Sequence, residues 1–209
     1  MRITDAAQNT GIAQAAIGYS TDPPSGSVTV NNLTAVTEGS ETKYYTKSNI
    51  ARFTLAYPGG SSIRVALTGQ AWGAWKPYST TLRVPLGLGE GETEISFQVK
   101  DAHGVTSNVI TYPVTVDRTP PDIQRLKGAG GRTATRGSSV SLEIRTTDNS
   151  AGTLQYQFQV NGDVASTWAN LTGGTIPVSG LTSGANTITV AIRDFAGNTT
   201  AADVLIWGI

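Results

Sequence analysis

The sequence contains no cysteine and a single histidine, His103. These two absences remove disulfide frameworks, thiol nucleophiles and the commonest zinc ligand sets. Charge is sparse as well: 15 Lys and Arg stand against 15 Asp and Glu, 14% of the chain together, for a formal net charge of +0. No basic cluster tracks a phosphate backbone, so nucleic acid is not an expected partner. No apolar run reaches the roughly 18 residues of a membrane span, and Met1, Arg2, Ile3, Thr4 and Asp5 do not begin a charged-then-apolar export signal. The expectation is a chain without Sec targeting or membrane insertion, one that leaves a cell only by assembly or lysis. HExxH, GxSxG and glycine-rich phosphate loops are all missing. Spacing places no nucleophile or acid beside His103, so a non-catalytic chain with no cofactor and no metal is expected.

What the chain does have is a duplication. A shift of 93 positions places Trp75 on Trp168, Gly91 on Gly184, Ile95 on Ile188, Asp101 on Asp194 and Gly104 on Gly197. The alternating Ile63, Val65 and Leu67 fall on Tyr156, Phe158 and Val160, and the match runs without a gap from residue 63 to the end. A period of this length is a whole domain rather than a solenoid repeat. The one indel required is the loop Thr146 to Gly152, longer than its counterpart Ala56 to Ser62.

From Val28 onward, short alternating runs are separated by Gly, Pro, Asn and Asp, the pattern of antiparallel sandwiches. In Ile95 to Lys100 the apolar residues share one face and the polar residues the other. Asp117-Arg118-Thr119-Pro120-Pro121-Asp122 ends the first copy, because two prolines cannot donate ladder hydrogen bonds; they also stiffen the connection. The fold class is therefore all-β: an N-terminal extended arm and hinge over 1–27, one sandwich over 28–117 and a second over 118–209. The arm lacks period-2 alternation and reads either as disordered or as a segment that orders against a neighbouring subunit.

The order Trp75-Lys76-Pro77-Tyr78, Gln98-Val99-Lys100-Asp101-Ala102-His103-Gly104 and Val116-Asp117-Arg118-Thr119-Pro120-Pro121 resembles the bacterial Ig-like modules. The second copy matches through Trp168, Gly184 and Ile192-Arg193-Asp194-Phe195-Ala196-Gly197-Asn198; the first departs at Val105, where asparagine is usual. The resemblance covers residues 28–209 and implies immunoglobulin or fibronectin III-like sandwiches, as strung along secreted enzymes, adhesins and phage structural proteins. It guides fold more than function.

Asp101 with Gly104 and Asp194 with Gly197 suggest fragments of a calcium loop, but one carboxylate per loop is too few for that ion. They are read instead as hairpin turns, in which Asp accepts backbone amides and Gly takes a positive φ. Trp72 and Tyr78, with Gln70 and Lys76 nearby, are the candidates for a surface-glycan contact. Parity taken from the ungapped alignment turns Val204 and Ile206 outward on the last strand. Together with Ile12 and Ile17 of the arm, these make the candidate assembly interface. The expected function is a structural or adhesive virion component of a tailed phage, on head, tail or fibre, whose partners are other structural subunits or its own copies. The alternative is a glycan- or surface-binding module of a secreted bacterial protein.

Overall fold

The computed structural model describes residues 2–4, 6–8, 10–12, 21–150 and 152–209, leaving aside the side chains of residues 2, 3, 11, 12 and 38. In the arm, β1 (Arg2–Thr4) and β2 (Thr10–Ile12) form a small antiparallel hairpin where no strand is expected from sequence. Three-residue strands are too short to display a period. Ile12 lies in β2, and Ile17 falls outside the described residues.

The first sandwich contains β3 (Ser27–Val30), β4 (Thr34–Glu38), β5 (Glu41–Thr46), β6 (Ile50–Ala56), β7 (Gly60–Leu67), β8 (Lys76–Pro77), β9 (Thr81–Pro85), β10 (Gly91–Asp101) and β11 (Ile110–Val116). One sheet has the order β3-β6-β9 and the other β4-β5-β11-β10-β7-β8. The hairpin of β4 and β5 escapes detection in the sequence because its Thr- and Glu-rich run offers little apolar alternation. Between the sheets, Ala51, Phe53, Leu55, Ile95, Phe97, Val99 and Val114 are buried. Ile95, Phe97 and Val99 alternate with Ser96, Gln98 and Lys100 along β10, as a strand buried on one face requires.

The second sandwich repeats the plan. It contains β12 (Asp122–Gly128), β13 (Ala134–Thr135), β14 (Ser139–Thr147), β15 (Gln155–Val160), β16 (Ala169–Asn170), β17 (Thr175–Ser179), β18 (Gly184–Arg193) and β19 (Thr199–Gly208). Its sheets are β12-β14-β17 and β13-β19-β18-β15-β16, enclosing a separate core that includes Leu142, Ile176, Ile188, Val190 and Ile192. In each sandwich an early strand lies parallel to the last one, β5 beside β11 and β13 beside β19. Parallel pairing sends the chain in at one pole and out at the opposite one.

The last strand corrects the parity expected from sequence. Ile206 is 0% exposed in the second core and Val204 packs against that core, whereas Leu205 and Trp207 are each 51% exposed. The cause lies in the first copy. There β11 pairs Phe97 with Ile110, yet nearer the turn Lys100 bridges Thr106, so one extra residue lies between them. Ser107 sits in this bulge: its amide donates to Val99 O and its hydroxyl accepts from Val99 N. The hairpin of β18 and β19 has no such bulge and stays in one register from Arg193–Thr199 to Gly184–Gly208. Beyond the bulge the true offset is therefore 92, which puts Val114 with Ile206. A one-residue slip exchanges every side chain between the faces of a strand.

Candidate functional site

The site lies where the two sandwiches meet. Asp117 follows β11, and its amide donates to Thr46 O, which anchors it to the first sandwich. The next residues of the linker are clamped to the same body. Arg118 donates from its guanidinium to the carbonyls of Gly87, Leu88 and Gly89, and from its amide to Glu90 Oε1. Glu90 also accepts from Thr119 Oγ1 and, across the junction, from Asn149 Nδ2 at 3.2 Å.

Two loops of the second sandwich face this linker. Residues 148–154 connect β14 to β15 where the first sandwich needs only residues 57–59, and they contribute Asp148. The turn between β18 and β19 contributes Asp194, Phe195, Gly197 and Asn198. Asn198 Nδ2 donates both to Asp117 O (2.9 Å) and to Asp194 Oδ2 (2.8 Å), while its amide donates to Asp194 Oδ1. Lys47 Nζ reaches Gly197 O at 2.7 Å, and the rings of Tyr45 and Phe195 pack with centroids 5.4 Å apart. Gly152 lies beneath Phe195 at φ +143°; a Cβ there would stand 2.5 Å from the ring.

This arrangement brings Asp117, Asp148 and Asp194 together, each with a carboxylate oxygen within 4.8 Å of the others. Asp117 is 2% exposed and Asp194 3%. Burial raises the pKa of Asp194 above its ordinary value, and the Asp117 charge adds to this against the hydrogen bonds from Asn198. Burial also raises the pKa of Asp148; the charges of Asp117 and Asp194 add to it, while Ser150 and the Asn149 amide oppose it. Like charges at this spacing repel by on the order of 3 kcal/mol per pair at an effective dielectric of about 20. Among the described residues, Asp117 Oδ2 is a buried side-chain oxygen with no hydrogen-bond partner.

The expected hairpin turns are present. Asp101 Oδ1 accepts the amides of His103 and Val105, Gly104 has φ 91° and Gly197 has φ 85°. Sequence reading nevertheless treats Asp194 only as a turn residue and does not single out Asp117 or Asp148. One carboxylate per loop is correct, but three loops converge. The signal that was available was the longer second-copy loop, which carries Asp148.

The candidate glycan residues do not form an open platform. Trp72 and Trp75 are half-buried with the Arg64 guanidinium stacked on both, 4.6 and 4.7 Å from the ring centroids, and Lys100 Nζ lies 4.4 Å from the Trp75 ring. Arg193 stacks on Trp168 in the same way, and it matches Lys100 in the repeat. The Tyr78 hydroxyl accepts the Tyr57 amide at 2.9 Å, and its ring packs on the first core. Gln70 and Lys76 are exposed, Gln70 in the turn after β7 and Lys76 in β8 opposite Ile63.

No protein-family model and no curated protein matches the chain. Among solved structures, the fibronectin(III)-like modules of Clostridium thermocellum CbhA superpose with a TM-score of 0.56 at 14% identity, covering 87% of this chain and 94% of that one. The FN1–FN3 domains of chicken CNTN1 align over 99% of this chain and 76% of that one, at 13% identity and a TM-score of 0.47. With the strand orders above, the CbhA likeness shows the fold: tandem β-sandwiches of immunoglobulin- and fibronectin III-like architecture. More particularly, this chain is a pair of such sandwiches joined by a clamped linker, with an acidic cluster at the junction.

Proposed function

We propose that the chain is a non-catalytic structural or adhesive component, a two-module spacer displayed on a virion surface as a head, tail or fibre part. The observation that carries this reading is an apolar stripe on the outward face of β19 and the residue that follows it. Leu205, Trp207 and Ile209 are 51, 51 and 73% exposed at the pole where the second module ends. A stripe of this kind is a contact surface for other subunits or for further copies of the chain. It takes over the role expected of Val204 and Ile206, which face the core. Opposite poles for the incoming and outgoing chain suit a spacer, and the net charge of +0 suits packing among many copies.

Size-exclusion chromatography with light scattering tests the assembly. The intact chain is expected to self-associate, and the Leu205→Ser, Trp207→Ser variant to run as a monomer with an unchanged Tm. A monomeric intact chain would sink the assembly reading. Mass spectrometry of purified virions from the producing culture tests the location, and absence of its peptides would overturn the virion assignment. A second reading, a surface-glycan module, draws on the part of Trp72 left in solvent. Glycan-array binding that disappears in Trp72→Ala would favour it over the first.

A further inference from the structure

The junction cluster combines two features that proteins do not leave uncompensated. Asp117 and Asp194 are buried carboxylates, and among the described residues no Lys, Arg or His forms an ion pair with either of them or with Asp148. Buried charges are paired or coordinate metals. Hydrogen-bond donors already occupy the other carboxylate oxygens. The Thr119 amide donates to Asp117 Oδ1, Asn198 donates to both oxygens of Asp194, and the Asn149 amide and Ser150 Oγ donate to those of Asp148. The buried Asp117 Oδ2 is left over, within the group of three carboxylates that lie inside 4.8 Å.

We infer that Asp117, Asp148 and Asp194 form a Ca²⁺ site that fastens the linker to the two junction loops of the second module. The ligands are hard oxygens and carry more negative charge than one divalent ion, which suits a hard cation. Oxygens on opposite sides of a Ca²⁺ shell stand about 4.6–5.2 Å apart, a span that holds all three carboxylates. Mg²⁺ requires near-ideal octahedral geometry at about 2.0–2.1 Å and gives up its water reluctantly, so it fits a crowded, mostly buried cluster poorly. The ion would bridge two bodies, because Asp117 is anchored to the first module through Thr46 O while Asp148 and Asp194 belong to the second. The site is the same whichever surface carries the chain, so it stands or falls apart from the assembly stripe.

The test is calcium titration of the full chain after chelation, followed by calorimetry and by thermal unfolding. Half-saturation is expected on the order of 0.1–1 mM, with Tm rising by on the order of 10 °C at about 10 mM Ca²⁺. Asp148 is half-buried on a loop, so Asp148→Asn is expected to keep the far-UV spectrum of the parent and to weaken half-saturation at least tenfold. Asp101→Asn, in the matching turn of the first module, is expected to leave the calcium response unchanged. The site is overturned if about 10 mM Ca²⁺ gives neither heat nor a shift in Tm, or if Asp148→Asn responds like the parent. An equal half-saturation for Mg²⁺ would overturn the assignment to Ca²⁺.

Discussion

At the scale of single residues, the same type of side chain does opposite work in the two modules. Asp101 is a half-buried turn residue. What desolvation it has raises its pKa, but the amides of Val105, His103 and Gly104 and the nearby His103 outweigh this and hold it below the ordinary 3.8. A carboxyl whose pKa is lower folded than unfolded contributes stability above the unfolded value and loses it as pH falls through the folded one. The stability gap between the parent chain and Asp101→Asn should therefore be widest near neutral pH and close below about pH 3.8, read as Tm against pH. A gap that stays constant from pH 7 to pH 2 would contradict this account. Asp194, its partner in the repeat, shifts the other way because its turn is pressed against the linker and buried. The residue pattern D-x-x-G is the same in both turns; among the described residues, it is the second that packs against the linker of the other module.

At the scale of elements, β10 and β18 were legible from sequence because their alternation is unbroken, Ile95-Phe97-Val99 and Ile188-Val190-Ile192. The last strand was not. The bulge at Ser107 carries no Gly or Pro to mark it, and a single unmarked insertion is enough to reverse the inferred faces. The corrected faces make a sharp comparison. Ile206→Ala should cost about 2–5 kcal/mol in urea unfolding, as deletion of a fully buried side chain does, while Leu205→Ala should stay within about 0.5 kcal/mol. The reverse order of costs would restore the original parity. The β4–β5 hairpin shows the same limit of pattern reading, since its Thr- and Glu-rich run offers too little apolar alternation to mark two strands. The acidic cluster was illegible for a different reason. Its members come from a linker, an extended loop and a turn, and only the packing of one module on the other brings them within reach.

At the scale of the whole molecule, the junction is built from several small contacts rather than one broad apolar interface. Asn198 on Asp117 O, Asn149 on Glu90, Lys47 on Gly197 O and Tyr45 against Phe195 all cross it. Phe195→Ala removes the aromatic contact and uncovers Gly152, so it should destabilise the second module by about 1–3 kcal/mol. It should also broaden the distance distribution in small-angle scattering, while the first module keeps its own unfolding transition. An unchanged distribution would mean that the polar contacts alone fix the junction. The parallel placement of β5 beside β11 and of β13 beside β19 has a mechanical consequence. Tension applied at the two poles drags each pair of strands lengthwise, so their evenly spaced hydrogen bonds are loaded together instead of peeling one by one. Survival under load then depends on the unfolding rate rather than on equilibrium stability. A chain wired in this way is suited to being pulled.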